Sequence, residues 1–266
     1  MKTARHLLVI DGTNLLRTCY EANPAPESSE KVDGVFKSTL GSYRRAVRRH
    51  QPTHMAIAFD VPNSKNWRHE LYPAYKATRK PTPQALASRF DEFVQAVRDA
   101  GFMAIVRPGF EAEDIVNTIC RSWVARTTDD VTAVSTDKDL TQLTEIGVMV
   151  HRHFTDEWRD PVWVQKTFGV PVRQLLDLMA LTGDKSDDIP GIDGVGPKTA
   201  VALLEKYGTL EAILAAGQDG KEKGKLGERL VAHAEDARVS RKLVELATPQ
   251  LGLNLADMRV DLDLFK

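Results

Sequence analysis

The chain has almost no cysteine. Cys19 and Cys120 are the only two in 266 residues, too few for a disulfide framework or a thiolate zinc site, and this fits a reducing compartment such as the cytoplasm. It has no surplus of either charge. Its 36 Lys and Arg stand against 37 Asp and Glu, a formal net charge of -1, which excludes an all-over basic coat and leaves only local patches for binding phosphate. It also lacks a long apolar run. Met1-Lys-Thr-Ala-Arg-His6 leads into a short apolar stretch that stops at Asp11, so neither a signal peptide nor a membrane span is expected.

What is present reads as an α/β protein. The apolar fraction of 42% and charged fraction of 27% are those of a globular chain, long enough for one sizeable core and an appended helical region. Four short apolar runs, His6 to Ile10, Met55 to Phe59, Met103 to Val106 and Val131 to Val134, are expected to be buried parallel strands, with a shorter fifth at Val148 to Val150. Between them, Val32 to Arg49, Pro83 to Ala100 and Glu111 to Arg126 carry apolar residues at helical spacing. The alternation predicts a parallel central sheet flanked by helices over residues 1–160. From about Val162 the texture changes to helices joined by Gly- and Pro-marked turns, which predicts a helical lobe over residues 161–266. Gly217 to Gly227, with four glycines among Lys and Glu, reads as a flexible surface loop.

Acids mark the ends of the strands. Two strands stop at Asp11 and Asp60, and the next two lead to Glu111, Glu113 and Asp114 and to Asp137 and Asp139. In an open parallel sheet the ligand crevice lies beyond the carboxyl ends of the strands, so these acids should converge there. Glu111 and Asp114 are three apart at a helix start and share a face, and an extended backbone would aim Asp137 and Asp139 alike. Asp184 and Asp187 open the helical lobe.

Two carboxylates ~5 Å apart repel by roughly 3 kcal/mol at an effective dielectric of 20, so several ionised pairs require a cation. The donors are all oxygen, which selects Mg²⁺ or Mn²⁺ over zinc. Two such ions would suit phosphodiester hydrolysis, activating a water and neutralising charge on the phosphate and the leaving oxygen. Any single Asp could instead be a helix cap or a solvated strand end.

Lys65, Arg68, Lys76, Arg79 and Lys80 are interleaved with Trp67, His69, Tyr72 and Tyr75. Cations for phosphates and rings for bases make a single-strand grip, although the same segment could be an ordinary solvated loop.

Phe59-Asp60, Trp67-Arg-His-Glu-Leu-Tyr-Pro-Ala-Tyr-Lys-Ala-Thr-Arg79, Pro81 and Pro83 resemble the bacterial and phage 5′ nuclease family, which includes flap endonucleases and the 5′-3′ exonuclease domain of DNA polymerase I. So do Asp11-Gly12 near Arg17, Gly109-Phe-Glu-Ala-Glu-Asp114, Ser135-Thr-Asp-Lys-Asp139 and Gly183-Asp-Lys-Ser-Asp187 with Ile189-Pro-Gly191. The resemblance spans almost the whole chain in order. It implies a PIN-like sheet, a basic arch or gateway near residues 62–90, and a role in DNA replication or repair. It implies a first metal site of Asp11, Asp60, Glu111, Glu113 and Asp114 and a second of Asp137, Asp139, Asp184 and Asp187, with Lys76, Arg68, Arg79 and Arg17 acting at the scissile phosphate. Without a polymerase region, and with Trp67 and Gln51-Pro-Thr-His54, the chain is similar to the stand-alone members called exonuclease IX. Glu113 stands where the family usually has Asp, Asp188 where it has Asn, and Arg17 is one place nearer Asp11 than in many members.

Ile192-Asp-Gly-Val-Gly-Pro-Lys-Thr-Ala200 places Gly194 and Gly196 in a tight turn with Pro197 opening a helix. Such a turn lets backbone approach a phosphate, and the helix start offers unpaired N–H groups. It resembles the family's helix-hairpin-helix, near 184–208, whose carbonyls share K⁺ with a DNA phosphate. Gly194, Gly196, Lys198 and Thr199 would then hold duplex DNA without reading sequence, while Tyr72 and Tyr75 meet the single strand.

His151 and His153 are expected to be surface or strand-end residues, and Trp123, Trp158, Trp163, Phe90 and Phe93 packing residues. Together these readings predict a monomeric Mg²⁺-dependent 5′ nuclease acting on DNA that has a 5′ flap or end beside duplex. The rivals are a catalytically silent DNA-binding paralogue and a PIN-type ribonuclease.

Overall fold

Leu7, Leu8, Val9 and Ile10 are wholly buried, as a central parallel strand covered on both faces requires. In the computed structural model, which describes residues 5–265, they lie in β1 (His6–Asp11), at the middle of a six-stranded sheet. The other strands are β2 (His54–Phe59), β3 (Ala104–Val106), β4 (Asp130–Val134), β5 (Met149–Arg152) and β6 (Glu157–Arg159), in the order β3-β2-β1-β4-β5-β6. All neighbours are parallel except β5 and β6. The helices in chain order are α1 (Gly12–Ala22), α2 (Ser29–His50), α3 (Trp67–Leu71), α4 (Gln84–Ala87), α5 (Phe90–Asp99) and α6 (Ala112–Val124). They continue with α7 (Pro161–Phe168), α8 (Leu175–Thr182), α9 (Pro197–Tyr207), α10 (Leu210–Gln218), α11 (Gly224–Ala232) and α12 (Ala234–Val244).

The chain divides into two compact units. Among the described residues, the first comprises residues 5–64, 81–159 and 247–265, and the second residues 65–80 and 160–246. In the first, α1, α2 and α5 pack Leu15, Val35, Phe36, Phe93 and Val97 on Ile10, Ile57 and Phe59 of the sheet. Each such side chain, fully buried, contributes about 1.5–3 kcal/mol. Asp11 caps α1, its side chain accepting from Asn14 N at 3.0 Å. Gly12 follows because a β-carbon there would lie 2.5 Å from the Phe59 ring, so only glycine lets the helix leave the strand at this point.

The second unit has its own core, in which Tyr75 joins Leu178, Leu181, Leu203, Leu214 and Leu243. Gly217 and Gly227 belong to α10 and α11, not to a flexible loop. Gly217 is buried, and a β-carbon on it would fall 2.8 Å from Leu230 Cβ, so this glycine marks a close helix contact. Pro83 to Ala100 is likewise two helices, α4 and α5, broken at Ser88 and Arg89. Among the described residues no helix is long and apolar enough to cross a membrane.

Candidate active site

In the sheet unit the acids do gather. One carboxylate oxygen from each of Glu113, Asp137 and Asp139 lies within 4.8 Å of the others. Glu113 comes from the first turn of α6 and the two aspartates from the turn after β4. That turn is not extended. Asp137 Oδ1 accepts from Asp139 N at 2.9 Å, and Asp139 opens a short 3₁₀ helix, so a side-chain-capped turn brings the pair together.

Asp11 and Asp60 end neighbouring strands. Burial first, then the charge of Asp60, pushes the Asp11 carboxyl up to about 7, with Asp137 adding to the rise and hydrogen bonds from Asn14 and Ser135 opposing it. Asp60 is held from both sides: its N–H donates to Thr13 Oγ1 at 2.8 Å and its carboxylate accepts from Ala112 N. Such mutual repulsion is what a divalent cation relieves.

Asp114 is differently placed. It is wholly buried, and its two oxygens accept from Glu111 N at 3.2 Å and Ala247 N at 2.8 Å. It caps α6 and fastens residue 247 to that helix. Arg17 bonds Thr82 at 3.3 Å and pairs with Glu21.

Several residues that order these acids were given no role from the sequence. Ser135 Oγ donates to Asp11 Oδ2 at 2.9 Å and accepts from Asp137 N at 3.0 Å. Asn14 exchanges hydrogen bonds with Thr136. Arg159, 5% exposed, donates from Nη1 to the carbonyls of Thr136 and Asp137, each at 3.2 Å. The readable signal was hydroxyl and amide side chains directly after a strand. Arg159 had none, because β6 is too short to announce itself.

His151 is not a surface residue. It is fully buried in β5, stacked on Trp158 and bonded through Nδ1 to His50 Nε2 at 3.0 Å and through Nε2 to Asp156 at 2.9 Å. It lies in a hydrogen-bonded file, with His153 half-buried beyond it.

The helical unit contains the basic segment. Lys76 Nζ and Arg79 Nη1 lie 3.6 and 3.8 Å from Asp187, Lys76 N donates to Asp187 O at 3.0 Å, and Thr78 N donates to Asp188 at 2.8 Å. Asp188 therefore fastens the segment's turn. Asp184 accepts from Ser186 N and Oγ, closing the loop that contains Asp187. Arg68 is wholly buried, donating from Nε to Leu243 O at 2.8 Å and from Nη2 to Glu245 O at 3.3 Å. Tyr75 is 2% exposed, and Tyr72 packs partly buried against the same core.

In the hairpin, Gly194 has φ of +70°, and Gly196 caps α9 with Pro197 at its first turn. A β-carbon on Gly196 would meet nothing within 4 Å. Lys198 is exposed at the helix start.

Comparison with known proteins now bears on this arrangement. Residues 6–169 match the N-terminal resolvase-like domain of the 5′-3′ exonucleases and residues 170–263 match their C-terminal SAM fold. The chain belongs to the 5′-3′ exonuclease family. It is accordingly a DNA 5′ nuclease, a phosphodiester hydrolase. The flap endonuclease Xni of Vibrio cholerae is 35% identical over 96% of each chain. DNA polymerase I of Rhizobium leguminosarum is 38% identical over 99% of this chain, which spans 26% of that protein. The fold is that of T5 5′-exonuclease: a structure of that protein with divalent metal ions (zinc) bound superposes with a TM-score of 0.75 at 23% identity, over 92% of this chain and 90% of that one.

Proposed function

We propose that the strand-edge carboxylates hold two hard divalent ions, Mg²⁺ or Mn²⁺, and that the chain cuts DNA at a 5′ flap or end beside duplex. The observation that carries this reading is the approach of Glu113, Asp137 and Asp139 within 4.8 Å, next to an Asp11 whose proton is held up to about 7. The donors fit the ions: every one is a carboxylate oxygen, as a hard cation requires. When bound, such ions activate a water for attack and neutralise the charge that builds on the phosphate and the leaving oxygen.

The chain's own residues do the positioning. Asp11, Asp60, Glu111, Glu113, Asp137 and Asp139 are assigned to metal on the sheet unit. Asp114, with both oxygens on backbone N–H groups, is assigned to holding α6. Asp184 and Asp187 are assigned to metal on the sequence resemblance. Lys76 and Arg79 attract and orient the phosphate, with Arg17 and Tyr72 as further substrate contacts. Arg68 and Tyr75, buried among helical-unit residues, hold the basic segment in place. Gly194, Gly196, Lys198 and Thr199 grip duplex backbone, with hairpin carbonyls sharing K⁺ with a phosphate. The product carries a 5′ phosphate. With both cysteines free, we place the chain in the cytoplasm as a monomer.

The test is a duplex bearing a labelled 5′ flap. Cutting in Mg²⁺, none in EDTA, and binding without cutting by Asp137→Ala are expected. Wild-type protein that binds the flap and leaves it intact in Mg²⁺ and in Mn²⁺ would favour the silent paralogue.

A further inference from the structure

Several basic side chains of the helical unit are paired with acids. Arg238 holds Glu211 and Glu235, Arg241 holds Asp177, and Lys206 holds Glu222. Arg229 is different. It projects from the last turn of α11 and is half-buried, yet makes no ion pair and no side-chain hydrogen bond among the described residues. Its guanidinium instead lies against the hairpin: a β-carbon on Gly194 would fall 2.5 Å from Arg229 Cζ and closer still to Nη1.

The position is chemically specific. A guanidinium offers five N–H donors in a planar fork suited to phosphate, and this one is committed to no acid among the described residues. Its neighbour is the turn that leads into α9, where Gly196 leaves open space and Lys198 adds a second cation. The first N–H groups of α9 lack helical acceptors and favour negative charge. Lys225, four residues before Arg229 and exposed, shares its face of α11. The absence of a side chain at Gly194 thus serves two ends: it allows φ of +70° and leaves room for the guanidinium.

We propose that Arg229 is a phosphate-binding residue of the hairpin, so that the duplex footprint runs from Gly194 and Lys198 onto the Lys225 and Arg229 face of α11. This rests on the reading that the hairpin grips duplex DNA. Arg229 binds backbone phosphate, so it adds affinity without sequence preference, and it acts on binding, not on the chemical step.

The experiment uses the full chain and a 5′-flap duplex, with Ca²⁺ in place of Mg²⁺ to measure binding across a salt series. Arg229→Gln is expected to weaken binding about fivefold near 0.1 M salt and to flatten the plot of log affinity against log salt by about 0.9, one phosphate contact. Arg229→Lys restores most of that slope, and in Mg²⁺ the KM of Arg229→Gln rises while kcat stays at the wild-type value. As a measurement that needs no variant, duplex DNA should protect Arg229 of the wild-type protein from phenylglyoxal. An Arg229→Gln protein with wild-type affinity and slope, or an Arg229 equally reactive with and without duplex, overturns the proposal. If Lys198→Gln weakens duplex binding while Arg229→Gln does not, only the Arg229 assignment falls. If wild-type binding shows no dependence on salt, the hairpin reading falls with it.

Discussion

The hydroxyl of Ser135 donates to Oδ2 of Asp11 at 2.9 Å. Ser135 Oγ in turn accepts from Asp137 N at 3.0 Å, so one small side chain links the carboxylate that ends β1 to the turn that carries Asp137. Groups of this kind fix the direction of a metal-binding carboxylate without touching the metal. Ser135→Ala is expected to lower the affinity for Mg²⁺ by about tenfold or more, read from the Mg²⁺ dependence of flap cutting, and to leave duplex affinity in Ca²⁺ unchanged. An unaltered Mg²⁺ dependence would remove Ser135 from the site.

The raised pKa of Asp11 makes a stability prediction of opposite sign to its functional one. The folded protein keeps a proton on this carboxyl up to about 7, against 3.8 without the fold. Its contribution to stability is therefore full below about 4 and is lost as pH rises through 7. Asp11→Asn removes that loss. Without divalent metal, its Tm should exceed the wild-type value at pH 8 by roughly 4–8 °C, equivalent to on the order of 2 kcal/mol. The difference should narrow towards pH 4, while cutting is abolished. A variant less stable than wild type at pH 8 would contradict the electrostatic description of the site.

Arg68 and Lys76 should separate packing from chemistry. Arg68 donates to Leu243 O and Glu245 O inside the helical unit, and deleting it leaves the buried Leu243 acceptor unmet, at about 1–3 kcal/mol, and loses the packing of a wholly buried side chain. Arg68→Ala is expected to cost about 2–4 kcal/mol of stability in denaturant unfolding. Lys76→Ala should unfold within about 1 kcal/mol of wild type and lose most cutting. The reverse pattern would exchange the two roles.

The histidine file predicts acid sensitivity. Burial first, then His151, pushes His50 down to about 3, and burial first, then Arg45, pushes His153 down to about 4. Both are uncharged in the folded protein at neutral pH and titrate near 6.5 when unfolded, so their stabilisation is present above 6.5 and is lost as pH falls towards 4 and 3. Tm should drop across that interval, and His50→Gln should flatten the drop. A parallel curve would assign the acid lability elsewhere.

The sheet was readable because buried parallel strands are continuous apolar runs. Asp11 and Asp60 were readable because each ends such a run. Strand β6 was not readable: Glu157-Trp-Arg159 is a short antiparallel edge whose signal is two charges and a ring. Counting cations and rings between residues 65 and 80 found the basic segment, yet could not foresee that Arg68 and Tyr75 point into the core, because the apolar helices they meet are distant in sequence. Glycine misled at Gly217, where its small size serves packing against Leu230. Spacing also did not show that Asp114 accepts from Glu111 N and Ala247 N as a cap of α6.

The most direct measurement is the anomalous scattering of Mn²⁺ soaked into crystals of the protein at a concentration that supports cutting. Peaks are expected where Glu113, Asp137 and Asp139 approach one another and beside Asp11 and Asp60. A map in which those carboxylates carry no manganese would contradict the account at its centre.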